Sequence, residues 1–158
     1  MAEQVLQRSQ VIRRPIGEVF DFFADARNLE RITPPSLRFR IVTRGPIEIA
    51  EGTLIDYELR LRGLPFKWRT EITKWSPPYE FVDSQLRGPY RQWIHRHTFE
   101  ELGPGITRIE DEVRYRLPLE PFGDLVHFLV KRELKKIFDY RHATVETLLA
   151  DQTGHSPE

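Results

Sequence analysis

No cysteine occurs among the 158 residues, which excludes disulfides, thiolate nucleophiles and thiolate metal ligands and fits a reducing compartment. No apolar run approaches the roughly 20 residues of a membrane-spanning helix. The opening residues, MAEQVLQRSQ, lack the basic-then-apolar order of a signal peptide. Neither sign of charge is in excess: 24 basic residues balance 24 acidic ones, so no global field argues for nucleic acid or an anionic membrane. The GxSxG elbow, the phosphate-cradling glycine loop, the dinucleotide fingerprint and HExxH are all missing, which leaves acyl-enzyme, nucleotide and zincin chemistry without support. The expectation is a cytoplasmic protein without nucleic-acid partners, stable membrane insertion or a cofactor, acting as a monomer or homodimer.

What is present is strong periodicity. Residues 4–12 (QVLQRSQVI) read as a strand. Pro15 opens a helix in which Ile16, Val19, Phe20 and Phe23 share a face, and a second short helix over 25–31 has Leu29 and Ile32 as its apolar anchors before Pro34 and Pro35 stop it. Runs of period two follow at 37–44, 53–62, 66–75, 80–87, 90–100 and 106–116, separated by Gly- and Pro-rich clusters, the spacing of an antiparallel meander. From Pro121 the period returns to 3.6. Val126, Val130, Leu134, Ile137, Arg141, Val145 and Leu148 fall on one stripe of a long helix. The predicted organisation is one α+β domain over 1–150, with a polar tail, 151–158, expected to be disordered.

A curved seven-stranded antiparallel sheet wrapped around a long C-terminal helix, with two short helices after the first strand, is the packing this order favours. The block WRTEITKWSPPYEFVDSQLRGPYRQWIHRHTFEE, followed by GITRIEDEVRYRLP, resembles the signature of bacterial SRPBCC ligand-binding proteins. These lie within the START-like superfamily of helix-grip proteins, alongside lipid-transfer domains, coenzyme-Q-binding proteins and aromatic polyketide cyclases. The resemblance implies a central cavity, expected at a few hundred cubic ångströms, that holds an apolar or amphipathic small molecule. It implies no single reaction.

The residues themselves say more about the inward face. Trp93, His95, His97 and Phe99 share one parity of YRQWIHRHTFEEL, and histidines between large aromatics suggest a cavity, because a solid apolar core would leave them without partners. Closing the next hairpin about Gly103 sets His95 opposite Asp111, His97 opposite Ile109 and Trp93 opposite Val113. Provided Gly88 and Pro89 supply a bulge that preserves the face, Phe81, Asp83 and Gln85 point inward with Trp68, Thr70 and Ile72; a slip of one residue would turn Val82, Ser84 and Leu86 in instead. Phe39, Ile41, Ile55, Tyr57, Leu59 and Leu61 would form an apolar opposite wall. The candidate ligand-binding set is Tyr57, Leu59, Trp68, Thr70, Asp83, Gln85, Trp93, His95, His97, Asp111, Tyr115, Ile137 and Arg141.

Three readings stay open. The first is a hydrophobic or amphipathic ligand held with its polar end against His95, His97 and Asp111. A second is a cyclase or dehydratase using His95 and Asp111 as an acid-base pair. A third is a carrier whose apolar loop, Ile32 to Leu37, touches a lipid surface. His95 and His97 with Asp83 or Asp111 also have the composition of a two-histidine carboxylate metal site, but spacing alone is weak and no metal is expected. Arg141 either packs its stem and pairs with a carboxylate such as Asp25 or Glu133, or anchors an anionic ligand head.

Overall fold

The computed structural model describes residues 2–118 and 123–150. Seven strands form one antiparallel sheet: β1 (Gln4–Ile12), β2 (Arg40–Ile41), β3 (Leu54–Leu61), β4 (Leu64–Ser76), β5 (Glu80–Arg87), β6 (Gln92–Gly103) and β7 (Ile106–Arg116). Their spatial order is β1-β7-β6-β5-β4-β3-β2. Two short helices, α1 (Ile16–Ala24) and α2 (Ala26–Arg31), follow β1, and α3 (Gly123–Ala150) lies against the concave face of the curved sheet. This is the α+β helix-grip fold expected from the periodicity. Pro121 and the tail 151–158 lie outside the described residues.

Strand β1 alternates exposed and half-buried residues along its length, and its inward polar side chains grip α3 instead of packing in oil. Arg8 Nη2 reaches Asp139 Oδ1 at 2.6 Å, Gln10 Nε2 donates to the His142 carbonyl at 2.8 Å, and beyond the strand Arg14 Nε donates to the Leu149 carbonyl at 2.8 Å. Each bond satisfies a polar group that the closure would otherwise strand. The β3–β4 hairpin turns through Arg62 and Gly63, both at positive φ (51° and 79°), the conformation that matches a two-residue turn to strand twist. On the convex face arginines pair with carboxylates, as in Arg69 with Asp56 at 2.8 Å and Arg96 with Glu80 at 2.7 Å.

Several expectations need correction. The run 37–44 is a strand only at Arg40–Ile41, because Pro35–Leu37 forms a 3-10 turn and Arg38 is left-handed at φ 45°. Ile32 and Leu37, proposed as a lipid-touching loop, are 2% and 5% exposed; the turn drives them into the core, so they form no apolar surface. On α1 the buried face is Val19, Phe20 and Phe22, with Phe23 half-buried. On α3 Leu134 and Val145 are buried as the stripe has them and Ile137 and Leu148 are half-buried against the core, while Phe138 and Leu149, outside the named stripe, are buried beside them. The β6–β7 register is offset by two residues: His95 faces Val113, His97 faces Asp111 and Trp93 faces Tyr115. The parity survives, because a two-residue shift leaves every side chain on its own face. The irregularities that adjust the inward face lie between β4 and β5, at Arg69/Thr70 and Ile72/Lys74, not at Gly88 and Pro89. The second one turns Trp75 as well as Ile72 inward, where Trp75 meets Phe20 and Phe81.

Candidate functional site

A cavity of about 150 Å³ lies between the sheet and α3, smaller than the few hundred cubic ångströms expected. Tyr57, Leu59, Trp68, Thr70, Asp83, Trp93, His95 and His97 line it from the sheet, and Ile137 and Arg141 line it from α3. Aromatic rings crowd its wall: Trp68 stands at 89° to Trp93 with centroids 5.4 Å apart and lies nearly parallel to Tyr57 at 5.6 Å. Such edge-to-face and offset pairs fill the space that a ligand would otherwise have.

Three members of the sequence set do not line the cavity. Gln85 is turned to its own turn: Nε2 donates to the Tyr90 carbonyl at 2.6 Å and Oε1 accepts from the Tyr90 N–H at 3.1 Å. Gly88 makes room for that amide, since a Cβ there would lie 2.5 Å from Gln85 Oε1. Tyr115 is buried behind Trp93 and Tyr90. Asp111 sits behind the two histidines.

Sequence reasoning missed the helical contribution. Phe22, Phe23, Asn28, Leu29 and Thr33 close the cavity from α1, α2 and the turn after them, and Tyr90 closes it from the β5–β6 turn. The mixture of Asn28 and Thr33 with apolar neighbours was a faint signal. Both are bonded to backbone, Asn28 to the Phe22 carbonyl and Thr33 to the Leu29 carbonyl, so they brace the wall instead of offering free groups.

The polar floor is a four-membered cluster. His95 and His97, 4% and 6% exposed, stack with ring centroids 3.7 Å apart, and His97 stacks in turn on Phe81 at 4.0 Å. His95 Nε2 lies 2.7 Å from Asp111 Oδ1, and His97 Nε2 lies 2.6 Å from Asp83 Oδ2. Each short contact crosses diagonally between strands, because Asp83 faces His95 and Asp111 faces His97 in the register. The remaining ring nitrogens complete a ring of longer approaches, His95 Nδ1 to Asp83 Oδ2 at 3.8 Å and His97 Nδ1 to Asp111 Oδ1 at 3.4 Å.

Burial and charge act oppositely on the two rings. Burial, reinforced by the neighbouring His97, pushes the His95 imidazole down against the pull of Asp111 and Asp83. For His97 burial also pushes down, but the hydrogen bonds to Asp111 and Asp83 outweigh it and the value rises. Both aspartates stay below the ordinary carboxylate range: burial raises them, and the bonds and charges of the histidines more than reverse it. Burial, helped by the Asp83 charge, raises the Tyr57 phenol and keeps it neutral. Of the two rings, His97 is therefore the one that takes up a proton more readily, beside two carboxylates that stay ionised.

A carboxylate held low adds stability that is complete above about pH 4 and lost as pH falls through its folded value. His97 adds stability that is complete below about pH 6.5 and lost as pH rises through its raised value; His95 favours the fold above about pH 6.5 and loses that contribution as pH falls through its lowered one. Ring-nitrogen NMR is expected to show two titration steps on either side of about pH 6.5, the upper chiefly on His97. The urea midpoint should fall below about pH 4, where the aspartates of the unfolded chain begin to protonate while the folded ones stay ionised. A single step near pH 6.5 for both rings rejects the cluster.

Arg141 makes no ion pair among the described residues, so neither Asp25 nor Glu133 holds it. Its guanidinium lies over Phe138, 5.0 Å from the ring centroid, and its Nε is buried without a hydrogen-bond partner. Trp68 Nε1 and Thr70 Oγ1, on the same cavity wall, are also buried and unpartnered.

A family model described as polyketide cyclase / dehydrase and lipid transport matches residues 12–139. Among solved structures, the fold is similar to an aromatase/cyclase of Streptomyces sp. R1128, with a TM-score of 0.78 at 12% identity over 96% of each chain. It is also similar to a protein of Thermus thermophilus, with a TM-score of 0.71 at 18% identity, covering 96% of this chain and all of that one. A START superfamily protein of Mycobacterium smegmatis superposes with a TM-score of 0.67 at 14% identity, over 91% of this chain and 98% of that one. Identities this low show the fold alone. A search of curated proteins returns no match. No described helix is long and apolar enough to cross a membrane.

Proposed function

The chain belongs to the polyketide cyclase / dehydrase and lipid transport family, and from that premise we propose that it holds one small amphipathic molecule between the sheet and α3, with an aromatic or alicyclic body and an oxygen-bearing acceptor at one end. The observation that carries this reading is the set of unpartnered groups on an otherwise apolar wall. Trp68 Nε1 and Arg141 Nε can only donate, and Thr70 Oγ1 can do either. Buried donors left without a partner cost about 1–3 kcal/mol each, a cost a ligand's acceptor removes. The volume suits a compact ligand, since apolar cavities of about 150 Å³ accept a benzene-sized ring. The polar end then meets Arg141, Thr70 and the histidine floor, with Asp111 acting through His95.

Native mass spectrometry of freshly purified protein is the direct test, with an apolar molecule carried through purification as the expected result. Trp68 and Trp93 fluorescence then reports affinity for a panel of aromatic carboxylic acids and phenols. Arg141→Ala is expected to weaken an anionic member by about 1.5–3 kcal/mol, the scale of a charge-assisted hydrogen bond, with little effect on a neutral analogue. No retained molecule, and no saturable quenching by any of the panel, sinks the reading.

A second reading, acid-base turnover by a cyclase or dehydratase, is favoured by the opposite protonation preferences of His95 and His97. Two adjacent groups whose environments drive them apart suit an acid and a base at one pH. An altered ligand recovered after incubation, lost in both His95→Ala and Asp111→Asn, would establish it over simple carriage.

A further inference from the structure

We propose that His95, His97 and Asp83 bind one divalent first-row metal ion at the cavity floor, with Asp111 as the outer carboxylate that fixes both rings. His97 Nε2 and His95 Nδ1 both face Asp83 Oδ2, at 2.6 and 3.8 Å, and one ligand atom from each of the three residues falls within 4.8 Å of the others. Around an ion with bonds of about 2.1 Å, neighbouring ligand atoms stand about 3 to 3.5 Å apart, so the arrangement needs only small side-chain shifts. The other nitrogen of each ring points to Asp111 Oδ1, at 2.7 Å for His95 Nε2 and 3.4 Å for His97 Nδ1. In the metal-free protein His97 Nε2 donates to Asp83; with an ion bound, both rings would keep an N–H toward Asp111 and turn the other nitrogen to the ion, as in a carboxylate–histidine–metal relay.

Charge and position agree with this assignment. Asp83, His95 and His97 line the cavity and Asp111 does not, so the inner three ligands present an open side where further ligands would come from water or a bound molecule. Two carboxylates beside two neutral imidazoles carry two negative charges, of which Arg141, acting on Asp83 from the same cavity, offsets one and a cation would offset the other. In the metal-free protein the 2.6 Å hydrogen bond between His97 Nε2 and Asp83 Oδ2 closes that place. With no cysteine in the chain, nitrogen and oxygen donors set the preference toward zinc, cobalt or ferrous iron.

This inference is separable from the small-molecule reading, because the ion itself is the probe. The full chain, stripped with chelator and titrated with cobalt(II) alone, is expected to bind one equivalent with visible d–d absorption and strongly shifted His95 and His97 ring protons. Asp83→Asn and His97→Ala are expected to lose the absorption, Asp111→Asn to bind about 10- to 100-fold more weakly, and His142→Ala, whose ring lies outside the cavity lining, to bind normally. Should a variant fail to fold, the ring-proton shifts of the wild-type protein decide alone. Unmoved His95 and His97 signals at millimolar cobalt overturn the proposal, whatever organic molecule the cavity retains, and leave a hydrogen-bonded cluster only.

Discussion

Replacing Asp111 by Ala is expected to lower the unfolding free energy by about 3–5 kcal/mol, the cost of breaking a buried charged pair by removing one partner. The carboxylate is mostly buried and receives His95 Nε2 at 2.7 Å, with His97 Nδ1 at 3.4 Å. Without it, His95 keeps an unpaired N–H among Trp93 and Phe138, and the protonated form of His97 retains only Asp83. Asp111→Asn, which keeps an acceptor of the same shape, is expected to lose less than half as much. Urea denaturation at pH 7 measures both. The gap between wild type and Asp111→Ala should narrow as pH falls below about 4, since Asp111 of the unfolded wild-type chain then takes up a proton that the folded protein does not. A loss under about 1 kcal/mol for Asp111→Ala contradicts the buried pairing.

Phe20→Ala is expected to cost a comparable 3–5 kcal/mol or so, from lost transfer energy and the hole left behind. Its ring meets Trp75 at 5.1 Å, Phe99 at 5.2 Å and Phe81 at 5.9 Å, and it joins α1 to the second apolar cluster of the core. Phe20 does not line the cavity, so the variant separates stability from binding. Thermal unfolding should shift down by many degrees, with a changed emission of Trp75, while ligand affinity of the folded fraction stays near that of wild type. Phe20→Leu should recover most of the stability, because it refills most of the volume. Wild-type stability in Phe20→Ala would show that the aromatic cluster does not organise the core.

The order of elements, the helix-grip architecture and the parity of most strands were legible in the sequence, because period two and period 3.6 are local properties that a side chain writes into its own neighbourhood. Trp93, His95, His97 and Phe99 therefore fall on the concave face as read, and so do Asp83, Thr70 and Trp68. Which partner each meets is a different matter. His95 reaches Asp111 by a diagonal across a register two residues away from the one a Gly103-centred hairpin suggests. Parity is blind to such a shift, which goes with the irregularity between Glu101 and Gly103 where the β6–β7 hairpin closes.

Only the tertiary structure decided that Asp111 stands behind the histidines, that Gln85 turns to Tyr90, and that α1 and α2 close the cavity. It also decided that Ile32 and Leu37 are core. The Gln85 contact is local, five residues from Tyr90, but the others join separate elements, are fixed by how the curled sheet and α3 meet, and are carried by no local pattern. The chemistry-bearing residues and the contact of His95 with Asp111 could thus be named from the sequence, while the pairing of His97 with Asp83 and the closure of all four into one buried cluster came from the packing.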